Sequence, residues 1–184
     1  DEPSATPLTV QVVDEDGTPL AGAEVVVREW DASALVRARS PDGDDLVNCT
    51  DREPEPVVLA WLRDPAHAPK VLGQALSGPD GRVRFDGLRT GEVGLIARKG
   101  ALAGETLAMG EEGDLVLTVA PARQLAVSLE NEGDEPVAGA QVELIALQTL
   151  ERFQAVTNDQ GVAVFQGLTD GALFRLVAQA RGYA

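Results

Sequence analysis

The chain has 184 residues, 44% of them hydrophobic and 24% charged, and its net charge is −15. That apolar fraction excludes wholesale disorder, and the acidic balance excludes nucleic acid or an anionic membrane as partner, since both require a basic face. A single Cys, Cys49, excludes an internal disulfide, and no run approaches the roughly 20 apolar residues of a membrane-spanning helix.

Residues 1–7 are polar and Pro-rich and read as a flexible leader from which a signal peptide has been removed. Leu8, Val10 and Val12 alternate with polar residues, the period of a half-buried strand. Asp14-Glu15-Asp16-Gly17 is a turn, and Pro19-Leu20-Ala21-Gly22 leads into a second alternating run, Ala23, Val25 and Val27. Gly22 is expected to supply a bulge or an unusual backbone angle. Residues 33–74 read as an insert, with a polar loop at Pro41–Asp45 and a compact apolar run at Val57–Leu62. Asp80-Gly81 reads as a hairpin turn, Phe85 as a core anchor, and Val93, Leu95 and Ala97 as a further strand. Gly104–Thr106 and an acidic turn then lead to a closing strand, Leu115–Val119.

The pattern then repeats. Leu125–Leu129 and Pro136-Val137-Ala138-Gly139-Ala140 match the first block at an offset of 117, and Gln160–Leu168 matches Asp80–Leu88 at an offset of 80. The first copy therefore carries about 37 extra residues between its blocks. Phe165 repeats Phe85, and Phe174, Leu176 and Ala178 repeat the strand at Val93–Ala97. The division is residues 8–120, a short linker at 121–124 stiffened by Pro121, and residues 125–184, the second copy lacking its last strand.

These blocks, an acidic-Gly turn with Pro-Leu-Ala-Gly-Ala-x-Val and then Asp-x-x-Gly-x-x-x-Phe-x-Gly-Leu, resemble the carboxypeptidase regulatory-like domain family, and Gly182-Tyr183 is similar to that family's usual finish. Copy one departs there, with no Tyr after Gly100. The resemblance implies an all-β chain of two tandem prealbumin-like (Ig-like) antiparallel β-sandwiches, the first with an insertion. It further implies a non-catalytic spacer or contact module of a secreted, periplasmic or cell-surface bacterial protein, whose partner is a protein or a polysaccharide at the cell surface. The short strands at regular spacing agree with that fold class.

The chemistry-bearing residues are few. Trp30 and Trp61 could form a sugar-stacking platform, which makes a carbohydrate-binding module the alternative function, beside an accessory domain of a larger secreted enzyme. The bland reading of Trp30, which lies on the outward parity of β-strand residues Val26 and Arg28, is packing beneath the insert. Asp14, Asp16, Asp42, Asp44 and Asp45 bring carboxylates close enough to suggest calcium, against a reading of solvated turns in an acidic protein; no other cofactor is expected. One His, His67, and Cys49 do not make a catalytic pair or a metal set. The inventory also lacks the two His and two Tyr of the intradiol dioxygenases and the several His of the hydroxyisourate hydrolases. Lys70 and Lys99 do not sit in a first strand, as the Lys–Asn cross-link of pilin-like modules requires. The expectation is a protein that is not an enzyme.

Overall fold

The structure, a computed structural model, describes residues 7–30, 69–88, 91–109 and 113–180. Cys49, Trp61, His67 and the carboxylates of Asp42, Asp44 and Asp45 lie outside the described residues, as does most of the insert. The chain is all-β. In chain order the strands are β1 Leu8–Val13, β2 Glu24–Glu29, β3 Val71–Leu76, β4 Arg82–Phe85, β5 Glu92–Lys99, β6 Leu102–Met109, β7 Asp114–Thr118 and the short β8 Ala120–Pro121. They continue with β9 Arg123–Ser128, β10 Gln141–Ala146, β11 Arg152–Val156, β12 Val162–Leu168 and β13 Phe174–Gln179.

Residues from the first half build two sheets, ordered β4-β1-β7 and β3-β2-β5-β6-β8. The alternation read in the sequence is what fills the space between them. Leu8, Val10 and Val12 of β1, Val25 and Val27 of β2, and Leu95 and Ala97 of β5 are all fully buried in one core cluster. Phe85 and, from the closing strand, Leu117 and Val119 join them. Burying each such aliphatic side chain contributes about 1.5–3 kcal/mol. The closing strand β7 pairs with β1 in parallel; the other strand pairs are antiparallel. In the second half the sheets are β12-β9 and β11-β10-β13, around a smaller cluster of Val142, Leu144, Ala163, Phe165 and Leu168.

Four details differ from the expected pattern or extend it. Strand β3 begins at Val71, inside the stretch read as insert, because Val71–Leu76 does not alternate cleanly; it pairs with β2 as β11 pairs with β10. Strand β6 was hidden by its Gly104-Glu105-Thr106 centre, which looks like a turn, yet it pairs with β5 over its whole length. The turns at Gly81 and Gly161 are real, but they are not hairpins: β3 and β4 belong to different sheets, so the turn carries the chain across the sandwich. Finally, Leu176 and Ala178 of β13 are exposed, whereas their first-half counterparts Leu95 and Ala97 are fully buried.

Gly22 and Gly139 both adopt φ +70°, the unusual angle expected of them. The bend that follows is clamped by a hydroxyl. Ser77 Oγ accepts from Ala23 N–H at 2.9 Å and donates to Leu20 O at 2.6 Å. Thr157 Oγ1 does the same for Ala140 N–H at 2.8 Å and Val137 O at 2.7 Å. The offset-80 similarity thus extends upstream, through Gln74-Ala75-Leu76-Ser77 and Gln154-Ala155-Val156-Thr157.

Gly161 sits at φ +72° with room for no Cβ, which would lie 2.6 Å from Leu129 O; Gly167, at φ +74°, has open space there. Gly161→Ala is therefore expected to cost at least about 2 kcal/mol, and Gly167→Ala only the left-handed strain of about 1 kcal/mol. Urea denaturation of the two variants checks the order; equal losses would contradict the close approach.

Candidate functional site

The most elaborated polar arrangement among the described residues lies between the two halves. On β5, Val93, Leu95 and Ala97 point into the core, so Gly94, Ile96 and Arg98 point to the opposite face, and pairing with β6 sets Glu105 beside Ile96. The connection from β10 to β11, Leu147–Glu151, reaches this face from the second half. A Cβ on Gly94 would stand 3.5 Å from Thr149, an ordinary van der Waals distance, so the loop packs directly against this glycine.

The loop is held in a tight, strained shape. Leu150 N–H donates to Ala146 O and Ala146 N–H to Glu151 O, both at 2.8 Å, and Leu147 N–H donates to Leu173 O at 2.9 Å. Leu150 has φ +53°, a left-handed conformation that a branched residue adopts at a cost of about 1–2 kcal/mol. The strain presents Thr149 and Glu151, both buried, to the first half.

There Arg98 meets Glu151 in a two-pronged contact at 2.6 and 2.7 Å, a charge-assisted fork that fixes orientation as well as distance. Its guanidinium also lies 5.5 Å from the centre of the Phe153 ring. Thr149 Oγ1 donates to Glu105 Oε2 at 3.1 Å, while Glu105 Oε1 is buried with no partner among the described residues. Burial pushes the Glu105 carboxyl above its ordinary value and neighbouring Glu151 adds to this, against the Thr149 hydrogen bond and Arg98. One arginine thus faces two carboxylates. The linker is stitched down as well: Pro121 and Ala120 pair with Leu102 and Ala103, and Ala122 N–H donates to Ala101 O at 2.7 Å.

None of these joint residues carries a motif. Arg98, Glu105, Thr149 and Glu151 are scattered singly along the chain, and only the departure from the Gly-Tyr finish at Arg98-Lys99-Gly100 marks the place in the sequence.

The residues singled out in the sequence lie elsewhere. Trp30 is half-buried at the end of β2, its N–H donating to Glu92 O at 3.3 Å. Its indole Nε1 is buried without a partner among the described residues and faces away from solvent. Trp61 lies outside the described residues. Asp14 Oδ1 accepts from the N–H groups of Asp16 and Thr18 at 3.0 and 2.8 Å, closing its turn. Asn131 Oδ1 closes the matching turn through Gly133 and Glu135 at 2.9 and 3.0 Å, so the task needs an oxygen and not a charge. Asp16 is exposed in that same turn. Among the described residues, no group of three or more His, Cys, Asp and Glu side chains could hold a metal ion.

No family model matches the chain, so the carboxypeptidase regulatory-like resemblance rests on the motifs alone, and no curated protein matches it either. Solved structures do. GBS52, the minor pilin of Streptococcus agalactiae, is 17% identical, with 97% of this chain and 85% of that one covered and a TM-score of 0.35. The pilus backbone of Streptococcus pneumoniae is 12% identical, covering 100% of this chain and 56% of that one, with a TM-score of 0.31. The Bacillus anthracis TIE protein is 14% identical with a TM-score of 0.34; 98% of this chain is covered, but it spans 29% of the length of that protein.

Two outcomes follow. The folded state raises the Glu105 pKa, so its ionisation opposes folding: the associated stability is present below the unfolded value and lost as pH rises through the folded one. Glu105→Gln is expected to raise Tm at pH 7, with the gain shrinking toward zero near pH 4, as scanning calorimetry across pH would show. Asp14→Asn is expected to leave the response of the melting temperature to millimolar calcium unchanged, because Asp14 Oδ1 is engaged in closing its turn as Asn131 closes the matching one.

Proposed function

We propose that the chain is a non-catalytic structural and contact module outside the cell, built of two tandem sandwich domains, 8–120 and 125–184, that hold a fixed mutual geometry. The locked joint carries this reading. Arg98 and Glu151 are held by two short charged hydrogen bonds, and the 121–124 linker is paired to β6 at its start, so it is not a loose tether. A spacer that transmits position needs such a joint; two binding heads acting independently do not. The placement outside the cell rests on the family resemblance of the repeated motifs.

Paired spin labels test the reading. With Cys49→Ser as background, cysteines replacing exposed Arg82 and Asp159 are expected to give one narrow distance distribution. Arg98→Ala should broaden it and cost about 2 kcal/mol, because Glu151 is left buried beside Glu105 without its partner. A broad distribution in the unaltered joint would overturn the spacer reading.

A further inference from the structure

The one parallel strand pair among the described residues joins β1 to β7, and its direction decides how the first half meets tension. Thr9 faces Asp114 at one end of the pair and Val13 faces Thr118 at the other. Thr9 N–H donates to Gly113 O at 2.6 Å and Val119 N–H to Val13 O at 2.9 Å, so the ladder is closed at both ends. The bonds of a parallel ladder are evenly spaced. A pull on the chain before β1 draws that strand toward its start, and a pull on the chain after β7 draws that strand toward its end. In a parallel pair these directions oppose each other along one axis, so all the bonds are loaded together. An antiparallel pair would bring both loads to the same end, where bonds open one at a time.

Neither strand can leave the pair by peeling away. Strand β1 lies in the middle of its sheet, held on its other side by four residue pairs to β4. Its Leu8, Val10 and Val12 are fully buried in the core. Strand β7 is fastened at its end. A Cβ on Gly104 would collide with Thr118 O, so the β6 backbone passes directly against this point. Val119 is fully buried, and beyond it the chain crosses to the other sheet, where Ala120 and Pro121 pair with Ala103 and Leu102 of β6.

We propose that the β1–β7 pair is a mechanical clamp, which lets the first half carry tension along the chain by shear without unfolding. Distances favour this. A slide of one residue, about 3.3 Å, breaks the whole ladder, whereas unzipping five residue pairs releases two residues of slack for each, about 33 Å in all. The same work delivered over about a tenth of the distance demands a far higher force. Tension arriving from the second half meets the Arg98–Glu151 fork and the β8 pairing first, and enters β7 at Thr118 when those give way. The proposal deepens the spacer reading, since a spacer between two anchored points is loaded along its chain. It can fail alone: the spin-label distances that test the fixed joint do not depend on how β1 and β7 part.

Optical tweezers on the full chain, in a Cys49→Ser background, test the clamp by moving one attachment point. Handles at Pro7→Cys and Thr118→Cys load β1 and β7 in shear. Handles at Pro7→Cys and Asp114→Cys load the same two strands from one end. Thr118 and Asp114 are both exposed, so both sites accept a handle without disturbing the core, and circular dichroism checks the fold. At equal loading rate the shear pair is expected to unfold at a force at least about twofold higher, because forced unfolding reads the barrier along the pull and not the equilibrium stability. A third pair, Pro7→Cys with Asp86→Cys, opens β1 from β4 at the end where Leu8 faces Phe85, and a low force is expected there too. Equal forces at Thr118 and Asp114 would overturn the proposal. So would a force at Asp86 as high as that at Thr118, which would put the resistance in the core and not in the parallel ladder.

Discussion

A β-sheet with one apolar face has to be covered by a second layer, and everything else in this molecule follows from how completely that is done. The first half manages it with eight strands. Its closing strand β7 comes back parallel to β1 and, with Val119 just beyond it, puts Leu117 over the trough, so that Leu8, Val10, Val12, Leu95 and Ala97 are fully buried. The second half covers only part of the same face, and its core is correspondingly small.

The outer face of the first half's larger sheet is used differently. Ile96 and Ala103 point away from the core cluster, yet each is only 2% exposed. The loop at Leu147–Glu151 approaches that face, accepts a left-handed Leu150 to do so, and inserts Thr149 above a glycine. Arg98 then sets the orientation, because a forked guanidinium–carboxylate contact tolerates little rotation. Glu105 is the imperfect member: a second carboxylate with one oxygen unpartnered sits where a neutral group would be more stable. The joint thus carries a built-in dependence on pH, with its sign set by burial.

The repeated turns show the same economy of chemistry. Where Asp14 closes one turn, Asn131 closes its counterpart; where Ser77 clamps one bend, Thr157 clamps the other. Since the side-chain oxygen is what persists, these residues are read most simply as parts of the scaffold.

The sequence by itself determined the fold class, the duplication and most of the inward-facing residues, because alternation and turn chemistry are local properties repeated at fixed offsets. Val10, Val25, Phe85 and Phe165 were legible for that reason. Strands β3 and β6 were not, since Gly73-Gln74 in the one and Gly104-Glu105 in the other mask the period of two and only their partners define them. The joint was decided by tertiary structure alone. Arg98, Glu105, Thr149 and Glu151 carry no motif, and what brings them together is the register of β5 against β6 and the path of one strained loop. The exposure of Leu176, whose sequence pattern promised burial, was decided there too: a residue can face inward only where a second layer exists to receive it.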